Sequence, residues 1–224
     1  MSHPKQLIVE GPDDLAAISD FAAAHFVDFK KDGKYRVEIK SGDGAEKILD
    51  EKYIAYLRSQ ADIEALGFVL DADDKPKERW KSFRNFVKDA YPKIPRDLPK
   101  CGLIIAAEEK PRLGFWMMPD CKSKGMLEDF LHHLVPNHAT DALWEYAKEA
   151  TRAARTRGAP YKEAHGKKAE IHTWLAWQDE PGKRFGAALA AKILDPHAQA
   201  ARPFREWCEK LFDLTLSPSP VATP

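Results

Sequence analysis

The sequence predicts an α/β fold, in which a mostly parallel β-sheet carries helices on both faces and a helical C-terminal half follows. Three observations predict it. Short β-rich runs alternate with amphipathic stretches over the first 120 residues. One run, LGFVL at residues 66–70, is continuously apolar, as expected of a strand covered on both faces. Beyond Gly125 the apolar residues recur every three or four positions, which indicates helices.

The first predicted strand is QLIVE at residues 6–10. Pro12 follows it and suits the first turn of a helix, because the proline ring already holds φ near the helical value. Asp13 and Asp14 favour the positive end of the helix dipole. Apolar residues then recur at helical spacing as far as Phe26, so a helix is expected over this stretch.

The same rhythm continues through the next elements. YRVEIK at residues 35–40 alternates apolar and polar side chains, which predicts a strand with one buried face. A second helix is expected over residues 45–60, the apolar strand over 66–70 and a third helix over 76–90. This β-α-β-α-β-α order is typical of a parallel sheet with helices on both faces.

Two further strands are predicted at residues 102–106 and 113–118. Their connection is short enough for a hairpin, so we expect an antiparallel strand at one edge of the sheet. After Gly125, five helices are expected. They are predicted over residues 126–135, 139–155, 167–177, 185–194 and 203–212.

These elements predict an α/β core over residues 1–120, a helical portion over 121–215 packed on that core, and a flexible Pro-rich tail over 216–224.

Lys plus Arg and Asp plus Glu both number 35, so the formal net charge is zero. This balance excludes a general polycation that coats nucleic acid or membrane, although it is compatible with a local basic patch.

The chain is expected to be cytoplasmic and free of the membrane. Its opening, MSHPKQLIVE, is too quickly polar for a signal peptide, and no apolar run approaches the roughly 20 residues of a membrane span. Three widely separated cysteines without a CxxC motif argue against a disulfide framework or structural zinc site.

Carboxylates follow two of the predicted strands. Glu10 ends the first strand, and Asp71 and Asp73 follow the third. Ligands of open α/β sheets bind at the carboxyl ends of the strands. Residues i and i+2 of an extended chain point to the same side, so Asp71 and Asp73 are expected to converge. Carboxylate oxygens suit Mg²⁺. The alternative is that these aspartates only form turns or helix caps.

Two sequence stretches in this order resemble a known family. LIVEGPDD, followed some sixty residues later by LGFVLDADD, is similar to the Toprim domain of topoisomerases, bacterial primases, small ribonuclease-maturation nucleases and OLD-family nucleases. The family pattern is a Glu followed by Gly after the first strand, and Asp-x-Asp after the third. Residues 5 to about 120 fit this domain. LGFWMMPDCKSKGMLEDFL also resembles a small stand-alone, Toprim-related bacterial family akin to OLD-type nucleases, whose members are mostly of unknown function.

The resemblance implies a metal site. Glu10 would serve as a general acid/base or as a ligand, and Asp71 and Asp73 would hold metal. OLD-type members carry two further acidic ligands, which Asp14 and Glu128 match. Five carboxylates would then hold two Mg²⁺ or Mn²⁺ ions, as two-metal phosphodiester chemistry requires. For Glu128 the alternative is a solvated position at a helix start.

A basic stretch at residues 152–168 contains six Lys or Arg and one Glu. The resemblance to OLD-like nucleases also implies a catalytic lysine, for which Lys168 is the candidate and its neighbour Lys167 the alternative. Arg152, Arg155 and the same two lysines are candidate contacts to a phosphate backbone. The alternative is an ordinary solvated helix end and loop.

The function predicted from these features is a Mg²⁺-dependent nuclease, a hydrolase of phosphodiester bonds in DNA or RNA. A first alternative is a regulatory or effector subunit of a bacterial defence-type complex that acts only with a partner ATPase, since the chain has no GxxxxGK[ST] motif of its own. A second is metal-dependent phosphoryl or nucleotidyl transfer on a small nucleotide. A homodimer is compatible with all three. Strand passage and priming are not expected, because the topoisomerase tyrosine context and the primase accessory regions are missing.

Overall fold

The computed structural model describes residues 3–31, 34–50, 62–107 and 110–217. Within these ranges the strands are β1 (Lys5–Val9), β2 (Lys30–Lys31), β3 (Lys34–Tyr35), β4 (Glu38–Ser41), β5 (Ala65–Asp71), β6 (Leu103–Ala107) and β7 (Lys110–Met118). Five of them form one sheet in the order β4-β1-β5-β7-β6, and β2 pairs with β3 separately. Only β6 runs antiparallel in the large sheet. The predicted mostly parallel sheet with an antiparallel edge is therefore confirmed.

The second half of the chain is helical, as predicted. The described helices are α1 (Pro12–His25), α2 (Ala45–Ile48), α3 (Pro76–Val87), α4 (Leu127–His132), α5 (Ala142–Thr156), α6 (Gly166–Leu175), α7 (Phe185–Ala190) and α8 (Arg202–Phe212). Among the described residues, none of the helices is long and apolar enough to cross a membrane.

Two predictions fall partly outside the described residues. Of the helix expected over 45–60, α2 covers Ala45–Ile48, Leu49 and Asp50 are not helical, and residues 51–61 lie outside. Most of the predicted tail, from residue 218 onward, also lies outside. Its first residue, Leu216, forms an antiparallel bridge with Phe26.

Both faces of the sheet are covered. On one face, Phe83 of α3 stacks on Phe115 of β7 with ring centroids 4.0 Å apart. On the other face, glycine allows α8 to approach closely, because a Cβ added at Gly114 would lie 2.3 Å from Leu211. Burying such side chains contributes roughly 1.5–3 kcal/mol each. The last of the described helices thus packs directly on the α/β core.

The prediction of one continuous strand over YRVEIK is wrong, because two separate strands occupy this stretch. β3 ends at Tyr35 and β4 begins at Glu38, and the Tyr35 side chain is 49% exposed. The reason is a local backbone contact, since the N–H of Arg36 donates to the carbonyl of Phe29 at 2.8 Å. The guanidinium of Arg36 also pairs with Asp28 at 3.2 Å. The chain therefore bends where the alternation predicts continuous pairing.

Strands β1 and β5 are adjacent and parallel, with Val9 opposite Val69. Their carboxyl ends therefore meet at one edge of the sheet. At the same edge, the loops after β5 and β7 pair through a two-way backbone bridge, in which Asp73 and Gly125 exchange N–H to carbonyl bonds of 2.8 Å. This bridge brings the start of α4 next to the end of β5.

Candidate functional site

The strand-end acids are joined to each other and to α4 by backbone hydrogen bonds. Oε1 of Glu10, directly after β1, accepts a bond from the N–H of Asp71 at 2.8 Å. Asp71 is the last residue of β5, and its Oδ1 accepts a bond from the N–H of Leu127 at 2.9 Å. Segments 56 and 61 residues apart in sequence are thus connected through two carboxylates.

Two further carboxylates lie beside this pair. Asp14 is in the first turn of α1, where its Oδ2 accepts a bond from the N–H of Gly11 at 3.1 Å. Glu128 is in the first turn of α4 and is only 5% exposed. We call Glu10, Asp14, Asp71 and Glu128 the acidic cluster.

The four charges of the acidic cluster repel one another. Burial, followed by repulsion from Glu10, raises the pKa of Asp14 to about 7. Burial and then repulsion from Asp14, Glu10 and Glu128 raise the pKa of Asp71 well above its usual range. Burial also raises the pKa of Glu10, against the opposing effect of the hydrogen bond from Asp71. The acidic cluster is thus short of positive charge.

In the described part of the chain, one lysine forms an ion pair with a member of the acidic cluster. Nζ of Lys168, in the first turn of α6, lies 3.1 Å from Oε1 of Glu128 and 3.3 Å from Oδ2 of Asp13. Burial lowers the pKa of Lys168, but the hydrogen bonds and charges of Glu128 and Asp13 together outweigh it, so the pKa is raised overall. Lys168 therefore remains a cation at neutral pH.

Asp73 lies at the rim and is not joined to the acidic cluster. Its Oδ2 accepts a bond from Nη2 of Arg79 at 2.7 Å. Nε of Arg79 donates to the carbonyl of Asp71 at 2.8 Å, so the guanidinium spans both residues. Asp71 and Asp73 do not converge as their i, i+2 spacing predicts, because β5 ends at Asp71 and Asp73 has a φ of +50°, outside the extended region.

The other basic candidates lie elsewhere on α5 and α6. Nζ of Lys167 pairs with Oε2 of Glu170 at 3.2 Å, whereas Lys168 reaches the acidic cluster. A cleft of about 370 Å³ opens beside Lys167. It is lined by Thr151, Arg152, Arg155, Thr156, Tyr161, Gly166 and Glu170. Arg155 also pairs with Glu163 at 3.3 Å, so its positive charge is partly compensated.

Sequence reasoning missed two partners at the site. Asp13 was expected only to favour the helix dipole, yet it holds Lys168, and Asp14 makes the bond to the N–H of Gly11. Nothing in a run of two aspartates distinguishes these roles. Gly125 has a φ of +135°, and its backbone bridge to Asp73 likewise has no signal in the sequence beyond the glycine itself.

The donor chemistry of the acidic cluster fits a hard divalent ion, since it consists of oxygens alone and carries excess negative charge. As the side chains stand, however, no three acid, histidine or cysteine residues in the described part of the chain converge closely enough to hold a metal ion. Binding would therefore require the carboxylates to turn toward one another.

Comparisons with known proteins give a family. No curated protein matches the chain. The chain aligns with two solved structures of the C-terminal region of the Xanthomonas campestris pv. campestris OLD protein, one phased with platinum and one with mercury. Their TM-scores are 0.46 and 0.44 at 14% and 15% identity. The alignments cover 94% of this chain and 94% and 96% of those chains. The DUF3226 family, described as a protein of unknown function, matches residues 4–213, and the chain belongs to this family.

Proposed function

We propose that the chain is a phosphodiesterase that cleaves nucleic acid with Mg²⁺ or Mn²⁺ held at the acidic cluster. The observation that supports it is the grouping of four carboxylates, two at the ends of neighbouring parallel strands and two in the first turns of adjoining helices. Burial, followed by repulsion within the group, raises the pKa of Asp14 and Asp71. Like charges brought together in this way destabilise the fold unless a cation joins them, and strongly perturbed acids of this kind concentrate at functional sites.

In this proposal Glu10, Asp14, Asp71 and Glu128 are the metal ligands. Bound divalent ions would supply positive charge to the attacking and leaving oxygens and would lower the pKa of the attacking water. Asp73 would be the fifth of the ligands proposed for two ions. To bind metal, its carboxylate would have to give up its hydrogen bond from Arg79. Glu10 also acts as the general acid/base in this scheme.

Lys168 acts on the reacting phosphate. Its ammonium has three N–H donors, and the structure assigns two carboxylate partners, Glu128 and Asp13. The third donor is available to an oxygen of the pentacoordinate phosphate, where a fixed cation stabilises developing charge. The contact to Glu128 holds the lysine beside the ligands while it does so.

The cleft beside α5 and α6 binds the phosphate backbone away from the reacting bond. Arg152, Arg155 and Lys167 line or adjoin it. Glu170, which pairs with Lys167, is two residues from Lys168 and therefore on a nearly opposite side of the helix. A nucleic acid strand that contacts both regions would pass over the start of α6.

The test is cleavage of plasmid DNA and of RNA by the purified chain with Mg²⁺, Mn²⁺ or chelator. We expect metal-dependent cleavage that Asp71→Asn abolishes. Asp129→Asn is the matched control, because Asp129 is next to Glu128 but accepts a bond from the N–H of Met126 at the helix start. Cleavage that survives Asp71→Asn would refute the proposal.

The effector alternative is distinguished by the same preparation. If the chain cleaves neither substrate with either metal, yet recovers a stoichiometric ATPase and cleaves nucleic acid in that complex, the effector role is favoured. A screen of small nucleotides for metal-dependent turnover separates the transferase alternative.

A further inference from the structure

A buried histidine connects α4 to the start of α6. Nε2 of His132, the last residue of α4, lies 3.0 Å from the backbone carbonyl oxygen of Lys167. His132 is 8% exposed, and its ring packs edge-on against Trp144 of α5, with centroids 4.5 Å apart. The peptide that it contacts joins Lys167 to Lys168. The contact therefore acts on the backbone from which the Lys168 side chain extends.

The partner requires Nε2 of the imidazole to carry a hydrogen. A carbonyl oxygen can only accept, so Nε2 carries the hydrogen and donates. Burial lowers the pKa of His132 to about 3, against the raising effect of this hydrogen bond, so the ring is neutral at physiological pH. Oε2 of Glu170 lies 3.8 Å from Nε2, which is too long for a hydrogen bond. The contact is thus a neutral tether that adds no charge near the acidic cluster.

Three contacts of one short helix join the acidic cluster to α6. The N–H of Leu127 donates to Asp71, the carboxylate of Glu128 holds the ammonium of Lys168, and His132 holds the neighbouring carbonyl. Glu128 and His132 are four residues apart and lie on the same face of α4. The lysine is therefore fixed at its side-chain end by Glu128 and at its backbone end by His132.

We infer that His132 is a positioning residue for Lys168, holding the backbone of α6 so that the ammonium stays between Glu128 and Asp13. The catalytic consequence rests on the proposed role of Lys168, whereas the positioning itself does not depend on any activity. An ammonium held by two carboxylates reacts slowly with acylating reagents, because its nitrogen is engaged with Glu128 and Asp13, and loosening the backbone releases it.

Competitive acetylation of the full chain, quantified at each lysine by mass spectrometry, measures the positioning without turnover. The exposed Lys81 of α3 is the internal reference. His132→Phe keeps an aromatic ring against Trp144 but removes the donor, and His132→Gln keeps an N–H near the Nε2 position. We expect Lys168 to react about threefold faster relative to Lys81 in His132→Phe, because its ammonium is then held less firmly between Glu128 and Asp13. The glutamine variant should react like the native chain.

Nuclease kinetics give the second readout. His132→Phe should lower kcat about tenfold with KM for nucleic acid little changed, because a misplaced group costs transition-state stabilisation, and His132→Gln should restore it. Unchanged Lys168 acetylation in a folded His132→Phe variant overturns the inference. If that variant does not fold, His132→Asn, whose amide is too short to reach the carbonyl, replaces it with the same expected result. If acetylation changes but neither the native chain nor any variant shows nuclease activity, the positioning stands and the proposed function fails.

Discussion

The carboxylate of Glu10 accepts a hydrogen bond from the backbone N–H of Asp71, at 2.8 Å and across 61 residues of sequence. Neighbouring strands of a sheet lie about 4.8 Å apart, so a side chain just beyond the end of β1 can reach the last N–H of β5. The bond orients one acid of the cluster through the backbone of another. It also means that Glu10→Ala would leave a half-buried donor without its partner.

The contribution of the acidic cluster to stability without metal should fall as the pH rises. The folded-state pKa of Asp14 is about 7, above its usual value of 3.8, so the folded chain binds the proton more tightly than the unfolded chain. This contribution is fully present below about pH 4 and is lost as the pH rises through about 7. The raised pKa values of Glu10 and Asp71 act in the same direction.

Urea unfolding in chelator from pH 5 to pH 8 measures this effect. Because Asp14 is mostly but not fully buried, water screens part of its charge, and we expect a loss on the order of 1 kcal/mol in unfolding free energy from this residue. Asp14→Asn should lack this loss. The buried His132 acts in the opposite direction, because its pKa is lowered to about 3, so the difference in unfolding free energy between the native chain and Asp14→Asn is the quantity that isolates Asp14. A difference that does not change from pH 5 to pH 8 would contradict the raised pKa of Asp14.

Divalent metal should stabilise the native chain. An ion that binds only the folded state at about 100 times its Kd adds about 2.7 kcal/mol to the unfolding free energy. Thermal unfolding with and without Mn²⁺ at pH 8 measures it, and the shift should shrink at pH 5, where protons compete for the same oxygens. Asp71→Asn should abolish the shift and Asp129→Asn should keep it. Equal shifts in both variants would place the ion elsewhere.

Replacing Lys168 should affect kcat, whereas replacing Lys167 should affect KM. Lys168→Gln removes the ammonium beside the acidic cluster, so kcat should fall by about 100-fold or more. It should also cost roughly 1–3 kcal/mol of stability, because the buried Glu128 loses its ion-pair partner. Lys167→Gln should raise KM a few-fold without lowering kcat, since its ammonium pairs with Glu170. Steady-state kinetics with circular dichroism melts separates the two, and the opposite pattern would transfer the catalytic role to Lys167.

Arg152 and Arg155 should act through phosphate contacts. Replacing either with glutamine should weaken nucleic-acid binding for all sequences alike and reduce the slope of log K against log salt by about one unit. Fluorescence anisotropy with a labelled oligonucleotide over a salt series measures the slope. Glu163→Gln is the matched control, because it frees Arg155 from its ion pair and should tighten binding. A slope unchanged in both arginine variants would exclude the cleft as a binding surface.

The elements that follow strong periodicity could be predicted from the sequence. The β1, β5 and β7 strands and the helices after Gly125 were all recognised, with ends that differ by a few residues. Their apolar patterns record burial against the sheet, so local sequence carries the information. The YRVEIK strand failed because its pairing is decided by a contact between Arg36 and Phe29, which alternation does not record.

The site was predictable to the extent that it depends on strand order. Parallel neighbours bring their carboxyl ends together, so Glu10 and Asp71 were expected to meet, and they are joined by a hydrogen bond. Asp73 was not predictable in this way, because its left-handed backbone and its bond to Arg79 arise after the strand has ended. The division of roles between Asp13 and Asp14 depends on Lys168, which is more than 150 residues away.

The backbone bonds to the acidic cluster also bear on which ion it would select. In Glu10, Asp14 and Asp71 a main-chain N–H already occupies one oxygen of each carboxylate. Bidentate binding would compete with these backbone bonds for the first oxygen, whereas monodentate binding through the second oxygen would not. Ca²⁺ favours six to eight oxygens and readily takes carboxylates in bidentate fashion, whereas Mg²⁺ keeps about six ligands, several of them water. The hydrogen bonds that join the strands would thus favour monodentate carboxylate ligands, and with them Mg²⁺ over Ca²⁺.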